Sequence, residues 1–151
     1  MEKTESNSNI KIRELKPEDF TSGFFESLNN LAPTEGTTPE SAIAHLKKIS
    51  KNPVYHFFVA EKDGKIVGVT TLLVEEKFIH GLSKVGHIED VSARQGHEGH
   101  GVGSALVRHA TQKAKALGCY KAILDCSEKT VAFYEKSGYK RHGVEMRIDF
   151  K

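Results

Sequence analysis

Residues 96–106 read Gly-His-Glu-Gly-His-Gly-Val-Gly-Ser-Ala-Leu, with Gly99, Gly101 and Gly103 alternating straight into a helical pattern. The apolar run His87-Ile88-Glu89-Asp90-Val91 lies shortly before them. Together they predict a strand, a glycine-rich turn and a helix start, and no other stretch limits the fold as much. Such a junction leaves backbone N–H groups free to face an anion. Glycine permits positive φ and close approach of a ligand, and the helix dipole adds about half a positive charge. The expectation is a cradle for a pyrophosphate. A flexible surface turn is the competing reading of a bare Gly-x-Gly-x-Gly.

The chain of 151 residues suits one domain with a full core and no need of disulfides or metal,. A net charge of +2 gives no field that argues for nucleic acid or an anionic membrane,. Cys119 and Cys126 lie along one predicted strand, roughly 23 Å apart at ~3.3 Å per residue, too far to bridge. Two free thiols suit a reducing, cytoplasmic setting. Residues 1–9 are polar, without the apolar core of a signal peptide, and read as a disordered tail,. No apolar run reaches the ~18 residues of a membrane helix. His97, Glu98 and His100 lack the spacing of a helical zinc pair, so no metal is expected.

From residue 10 the pattern predicts one domain to residue 151. Ile10–Leu15 alternates as a strand. Pro17 opens a helix with Phe20, Phe24, Leu28 and Leu31 as its buried stripe. Thr38-Pro39 caps a second helix carrying Ala42, Ile43, Leu46 and Ile49. Val54–Glu61 and Ile66–Val74 form a hairpin about Asp63-Gly64, with Gly68 at a possible bulge. Lys77–Gly81 is a basic loop and Val85–Ala93 a strand. After the glycine turn, Val102, Leu106, Ala110, Ala114 and Leu117 form a helix face, and Gly118 follows its end. Tyr120–Asp125 is a buried strand, Val131–Ser137 a short helix, and Val144–Phe150 a last strand with one buried face. The class is α/β, a mixed central sheet flanked by helices.

A glycine turn of this kind has three common meanings. The nucleoside triphosphate loop needs a lysine before Ser104, and Gly103 stands there,. The dinucleotide turn belongs in a first β-α-β unit, whereas this one follows the fourth predicted strand, although Asp125 falls near the expected distance for its acid. The third is the coenzyme A pyrophosphate loop, which comes late in the chain.

Glu98–Gly103 resembles the Gln/Arg-x-x-Gly-x-Gly/Ala signature of the GNAT superfamily of N-acetyltransferases. Phe133-Tyr134-Glu135-Lys136-Ser137-Gly138-Tyr139 resembles its second signature. Lys77–His80, Gly86–Val91 and the stretches Gly118–Lys121 and Leu124–Cys126 resemble the branch of that family acting on glucosamine 6-phosphate. The resemblance implies a GNAT fold, acetyl-CoA as cosubstrate, and direct acetyl transfer to the sugar amine. The product would be N-acetylglucosamine 6-phosphate, for UDP-GlcNAc synthesis. It also implies a homodimer in which Asp125 serves the partner subunit's site. Another small amine, a protein terminus, or a non-catalytic acyl-CoA-binding module are the alternatives.

The implied roles are these. Val91, Ser92 and Ala93 pair with the pantetheine arm, and Glu98, Gly99, His100, Gly101, Val102 and Gly103 hold the pyrophosphate. Thr130 and Phe133 lie along the cofactor, and Tyr134 stands near its sulfur. Glu89 and Asp90 lie beside the amine, Leu124 and Asp125 help bind the sugar, and Lys77, Phe78, Ile79, His80, Lys121 and Arg147 serve the sugar phosphate. The catalytic set is Glu89, Asp90, Asp125 and Tyr134: a carboxylate relieves the amine of a proton and a phenol protonates the leaving thiolate. The chain departs from the signature at Glu98, where Gln or Arg is usual, at Ala32 for a threonine, and at Thr130 for an asparagine.

Overall fold

Period-two alternation between residues 55 and 93 folds as three successive antiparallel strands, and the rest of the chain packs on them. The computed structural model describes residues 9–151; the expected tail, Asn9 apart, lies outside the described residues. One sheet carries β1 (Lys11–Glu14), β2 (Tyr55–Lys62), β3 (Lys65–Glu76), β4 (Lys84–Ala93) and β5 (Cys119–Ile123) in that spatial order. The first four are antiparallel, and β5 joins β4 in parallel. Asp63 and Gly64, both at positive φ, close the two-residue turn between β2 and β3,.

Helix α4 (Val102–Ala116) covers one face, setting Val102, Leu106, Ala110 and Ala114 against Phe58, Val67, Leu72, Val74 and Ile88. The fit is close: a Cβ on Gly68 would stand 2.5 Å from a Val102 methyl, and one on Gly86 2.8 Å from the Ala114 Cβ. Gly68 is therefore a contact residue. It pairs regularly with Ala60, and the register shift falls beside it, between Ala60 and Glu61. On the other face lie α1 (Phe24–Leu28) and α2 (Pro39–Ile49), with Leu15, Phe24 and Leu28 packed on Val59, Ile66 and Val69. Thr38 caps α2 as expected, its Oγ1 accepting from the Ser41 N–H at 3.1 Å,. A distorted turn α3 (Ile79–Leu82) and a short α5 (Val131–Glu135) complete the fold.

Four expectations need correction. The first helix is broken: a 3-10 turn over Pro17–Thr21 ends before Gly23 (φ 112°), and Leu31 is left half exposed. The Lys77–Gly81 loop contains the turn α3, with His80 and Gly81 at positive φ. The strand after α4 spans Cys119–Ile123, is an edge of the sheet, and leaves Cys126 exposed beyond it. Residues 144–150 pair with no strand among the described residues. Val144, Met146, Ile148 and Phe150 are 87, 89, 75 and 90% exposed. Alternation encodes an extended segment with an apolar side but does not supply the surface that covers it.

Arg13 locks β1 to the first turn. Its guanidinium donates to both Asp19 carboxylate oxygens at 2.8 Å and to Glu61 at 2.8 Å, while the Lys16 N–H donates to Asp19. Burial would push the Asp19 carboxyl up, but these donors together hold it below its ordinary value,. A depressed carboxylate contributes stability that is lost as pH falls through its folded pKa. Asp19→Asn is expected to cost about 3 kcal/mol near neutrality, the usual scale for breaking a buried pair. The gap between variant and parent should hold from neutrality down to about pH 4, the ordinary aspartate value, and narrow only below it, as read by thermal melts.

Candidate active site

The site begins with a fault in the register of β4. Val69 pairs with Ser92 and Thr71 with Glu89, so Asp90 and Val91 together face Thr70. Asp90 takes φ 52°, and the Thr70 hydroxyl donates to the Glu89 carbonyl at 3.0 Å. This is a β-bulge, which bends a strand and re-aims its side chains. Beyond His87 the strand also loses its neighbour, because β5 pairs only with residues 84–87. The backbone of residues 88–93 thus forms an open strand edge on the β5 side. Val91 and Ala93 pack toward the α4 core, and Ser92 is buried with its hydroxyl donating to the Ser27 carbonyl at 2.6 Å.

The open edge leads into the glycine turn. Gly96, Gly99 and Gly101 all take positive φ, and α4 starts at Val102 with no side-chain cap and no acid in its first turn. Its leading N–H groups and dipole are therefore available to an anion. Gly103 lies against the Phe133 ring, where a Cβ would stand 3.0 Å away. The Tyr139 hydroxyl, 2.6 Å from Thr111 Oγ1, ties the segment after α5 to α4. Thr130 is exposed at the entry to α5, its hydroxyl donating to the Ser127 carbonyl. An open strand edge running into an uncapped helix start matches what a pantetheine pyrophosphate requires.

Glu98 does not set its charge on that helix start. Its carboxylate accepts from Asn30 Nδ2 at 2.8 Å and from the Gly96 N–H at 2.7 Å, and Asn30 also donates to the Ala93 carbonyl. Its own N–H, Asn30 and Gly96 hold the carboxyl below its ordinary value. Glu98 is thus a latch between the loop after α1 and the base of the glycine turn. Asn30 was not legible in the sequence, since nothing local marks a residue 68 positions from its partner.

Glu89 is half-buried. Desolvation, then repulsion from Asp125 and Asp90, pushes its carboxyl up, toward the range where a carboxylate is an effective base. Asp125 is exposed just past β5, while Leu124 leans into the α4 core. Burial, then the proximity of Cys126 and Asp125, raises the Tyr134 phenol, so it keeps its proton near neutrality. Asp125 is therefore within electrostatic reach of both Glu89 and Tyr134, and Asp90 within reach of Glu89.

The cationic residues are gathered less tightly. Lys77 and His87 share one Glu75 oxygen, at 3.3 and 3.0 Å. His80 packs on the Tyr120 ring at 5.0 Å, and the Lys121 ammonium lies 5.3 Å from the same ring. Phe78 and Ile79 stand in solvent. Arg147 is on the exposed C-terminal segment and pairs with Asp149 at 2.7 Å. The His87–Glu75 bond joins β4 to β3 and has no local mark in the sequence. Among the described residues no group of three His, Cys, Asp or Glu could hold a metal, and no helix is long and apolar enough to cross a membrane.

A bulged, splayed strand feeding a glycine turn and an uncapped helix defines an acyl-CoA transferase class of site. The model of the acetyltransferase (GNAT) family matches residues 12–139, and the chain belongs to that family. Its sequence is similar to the glucosamine 6-phosphate N-acetyltransferase of Candida albicans, 40% identical over 141 residues, 92% of this chain and 95% of that one. The Trypanosoma brucei brucei protein of the same name is 37% identical over 93% of this chain and 95% of its own length. The crystal structure of glucosamine-6-phosphate N-acetyltransferase from Arabidopsis thaliana superposes with a TM-score of 0.89 at 34% identity, covering 94% of this chain and 99% of that one.

Two checks need no ligand. Glu89 is a carboxyl raised by folding, so stability falls as pH rises from its unfolded pKa of about 4 through its folded value. Glu89→Gln should remove that loss, and melts should show the variant gaining on the parent between about pH 4 and 7. Glu98→Ala should speed hydrogen exchange at the Gly96 amide by about tenfold, the scale of one lost charge-assisted bond. Unchanged exchange there would show that the latch does not hold the turn.

Proposed function

We propose that this chain transfers the acetyl group of acetyl-CoA to the amine of glucosamine 6-phosphate. The observation that carries the reading is the bulged open edge of β4 running into the uncapped start of α4, with Glu89 and Asp90 at the bulge. The similar proteins of Candida albicans and Trypanosoma brucei brucei, which bear that activity in their names, supply the acceptor. Backbone at Val91, Ser92 and Ala93 aligns the pantetheine arm and the thioester, and the turn from Glu98 to Gly103 takes the pyrophosphate, with Phe133 and Thr130 flanking it. Glu89, directly or through water, takes a proton from the ammonium, since only a neutral amine attacks. Tyr134 gives its proton to the departing sulfur. Lys77, His80, Lys121 and Arg147 supply charge for the sugar phosphate, each a cation that pairs well with phosphate oxygens. Transfer is direct, within a ternary complex, and the two free cysteines suit the cytoplasm.

The working unit in this reading is a homodimer. Four apolar side chains alternating along 144–150 lie in solvent, and β5 has an uncovered edge. That much exposed hydrocarbon favours association. Glu145, on the same segment, is close enough to Glu89 to add to its repulsion, so this strip reaches the site. A second copy would bury the strip and bring Arg147 into place.

Thiol release with glucosamine 6-phosphate, against glucosamine and polyamines, tests the acceptor; equal rates with all three would remove the sugar phosphate. Tyr134→Phe is expected to lower kcat about 100-fold, within the usual range for a general acid, with little change in the KM for acetyl-CoA. Sedimentation should give a dimer, and a chain ending at residue 143 should give a monomer.

A further inference from the structure

A cavity of about 450 Å³ lies between α1, α2 and the face of β2 and β3 opposite α4. That is within the range of small-molecule sites, about 300–1,000 Å³. Four phenylalanine rings line it, Phe20, Phe24, Phe25 and Phe57. Thr71 and Asp90 also line it. Asp90 is the bulge residue itself, so the cavity reaches one of the two acids beside which the proposed function places the acceptor amine. No lysine or arginine lines it among the described residues; Asp90 and His45 are its only titratable groups.

Thr34, Thr37, Ser41 and Thr70 add hydroxyls to the lining, but a phosphorylated sugar would bring its phosphate into it without a counter-charge. The cavity does suit a cation on an apolar body, because an ammonium finds a carboxylate in the lining while rings receive the hydrocarbon. We propose that this cavity gives the enzyme a second class of acceptor: primary amines on an arylethyl or short alkyl body, held with the nitrogen at Asp90. The proposal rests on the placement of acetyl-CoA along residues 91–93 in the reading above. Asp90 relieves the ammonium of one proton and passes it to solvent. The nitrogen lone pair then forms the C–N bond to the thioester carbonyl as the C–S bond breaks. A second proton from nitrogen returns to solvent while Tyr134 protonates the sulfur and is itself reprotonated. The products are the N-acetyl amine, the free thiol of coenzyme A and one net proton.

The test is thiol release by the full chain with 2-phenylethylamine, benzylamine, butylamine and methylamine, with glucosamine 6-phosphate in parallel and the acetylated products weighed by mass spectrometry. Acetylation of 2-phenylethylamine, with kcat/KM falling about fourfold per methylene removed, supports the proposal. Ala42→Leu, on the α2 wall, should lower kcat/KM for 2-phenylethylamine at least about tenfold and leave that for the sugar within about twofold. Leu46→Phe repeats the test should the first variant melt early. In the parent protein, methyl resonances of Leu28 and Leu46 should shift on adding 2-phenylethylamine. Transfer to the sugar alone, arylethylamine transfer indifferent to both variants, or still methyl resonances would each overturn this inference only. Transfer to neither acceptor would overturn it together with the function proposed above.

Discussion

The bulge at Asp90 is the constraint on which the rest of this molecule turns. In a regular strand Glu89 and Asp90 would point to opposite faces of the sheet. Two residues set against Thr70, with Asp90 at positive φ, break that alternation. Asp90 then lines the same cavity as Thr71, the partner of Glu89, and both acids serve one side. The bend also carries β4 away from β5, whose pairing stops at His87 and Ile123. One local fault thereby produces a doubled acid, an unpaired strand edge and an open path to the turn before α4.

Electrostatics at the site follow from that geometry. Carboxylates at 89, 90, 125 and 145 oppose one another, and desolvation adds to the effect at Glu89. Protein interiors normally relieve such crowding with a cation. Here Lys77 is committed to Glu75 and Arg147 to Asp149. An amine substrate is the natural relief, and its ammonium is the group whose proton must leave. The Glu98 latch fits the same logic, since a carboxylate at the head of a phosphate turn is tolerable only when donors hold it aside.

The C-terminal segment leaves four apolar side chains in water. Its apolar residues are as exposed as side chains in an extended peptide, while the α4 face of the sheet holds residues at 0–2% exposure such as Leu72, Leu106 and Ile88. A segment of that composition gains little by standing in water. Association through it and the β5 edge would complete both core and site at once.

What the sequence by itself determined was everything set by near neighbours. The Asp63-Gly64 turn, the Thr38 cap, the face of α4 and the glycine junction before it are written in spacings of two to seven residues, because backbone conformation and side-chain period act over that range. The Glu89-Asp90 pair ahead of the glycine turn was legible for the same reason. Only the tertiary structure decided the break at Gly23, the bulge opposite Thr70, the bond from Asn30 to Glu98 and the aromatic cavity that Asp90 lines. Each depends on which residues a register or a packed helix brings together across 20 to 70 positions of chain, and hydrophobic patterning fixes the faces of elements but not their mutual offsets.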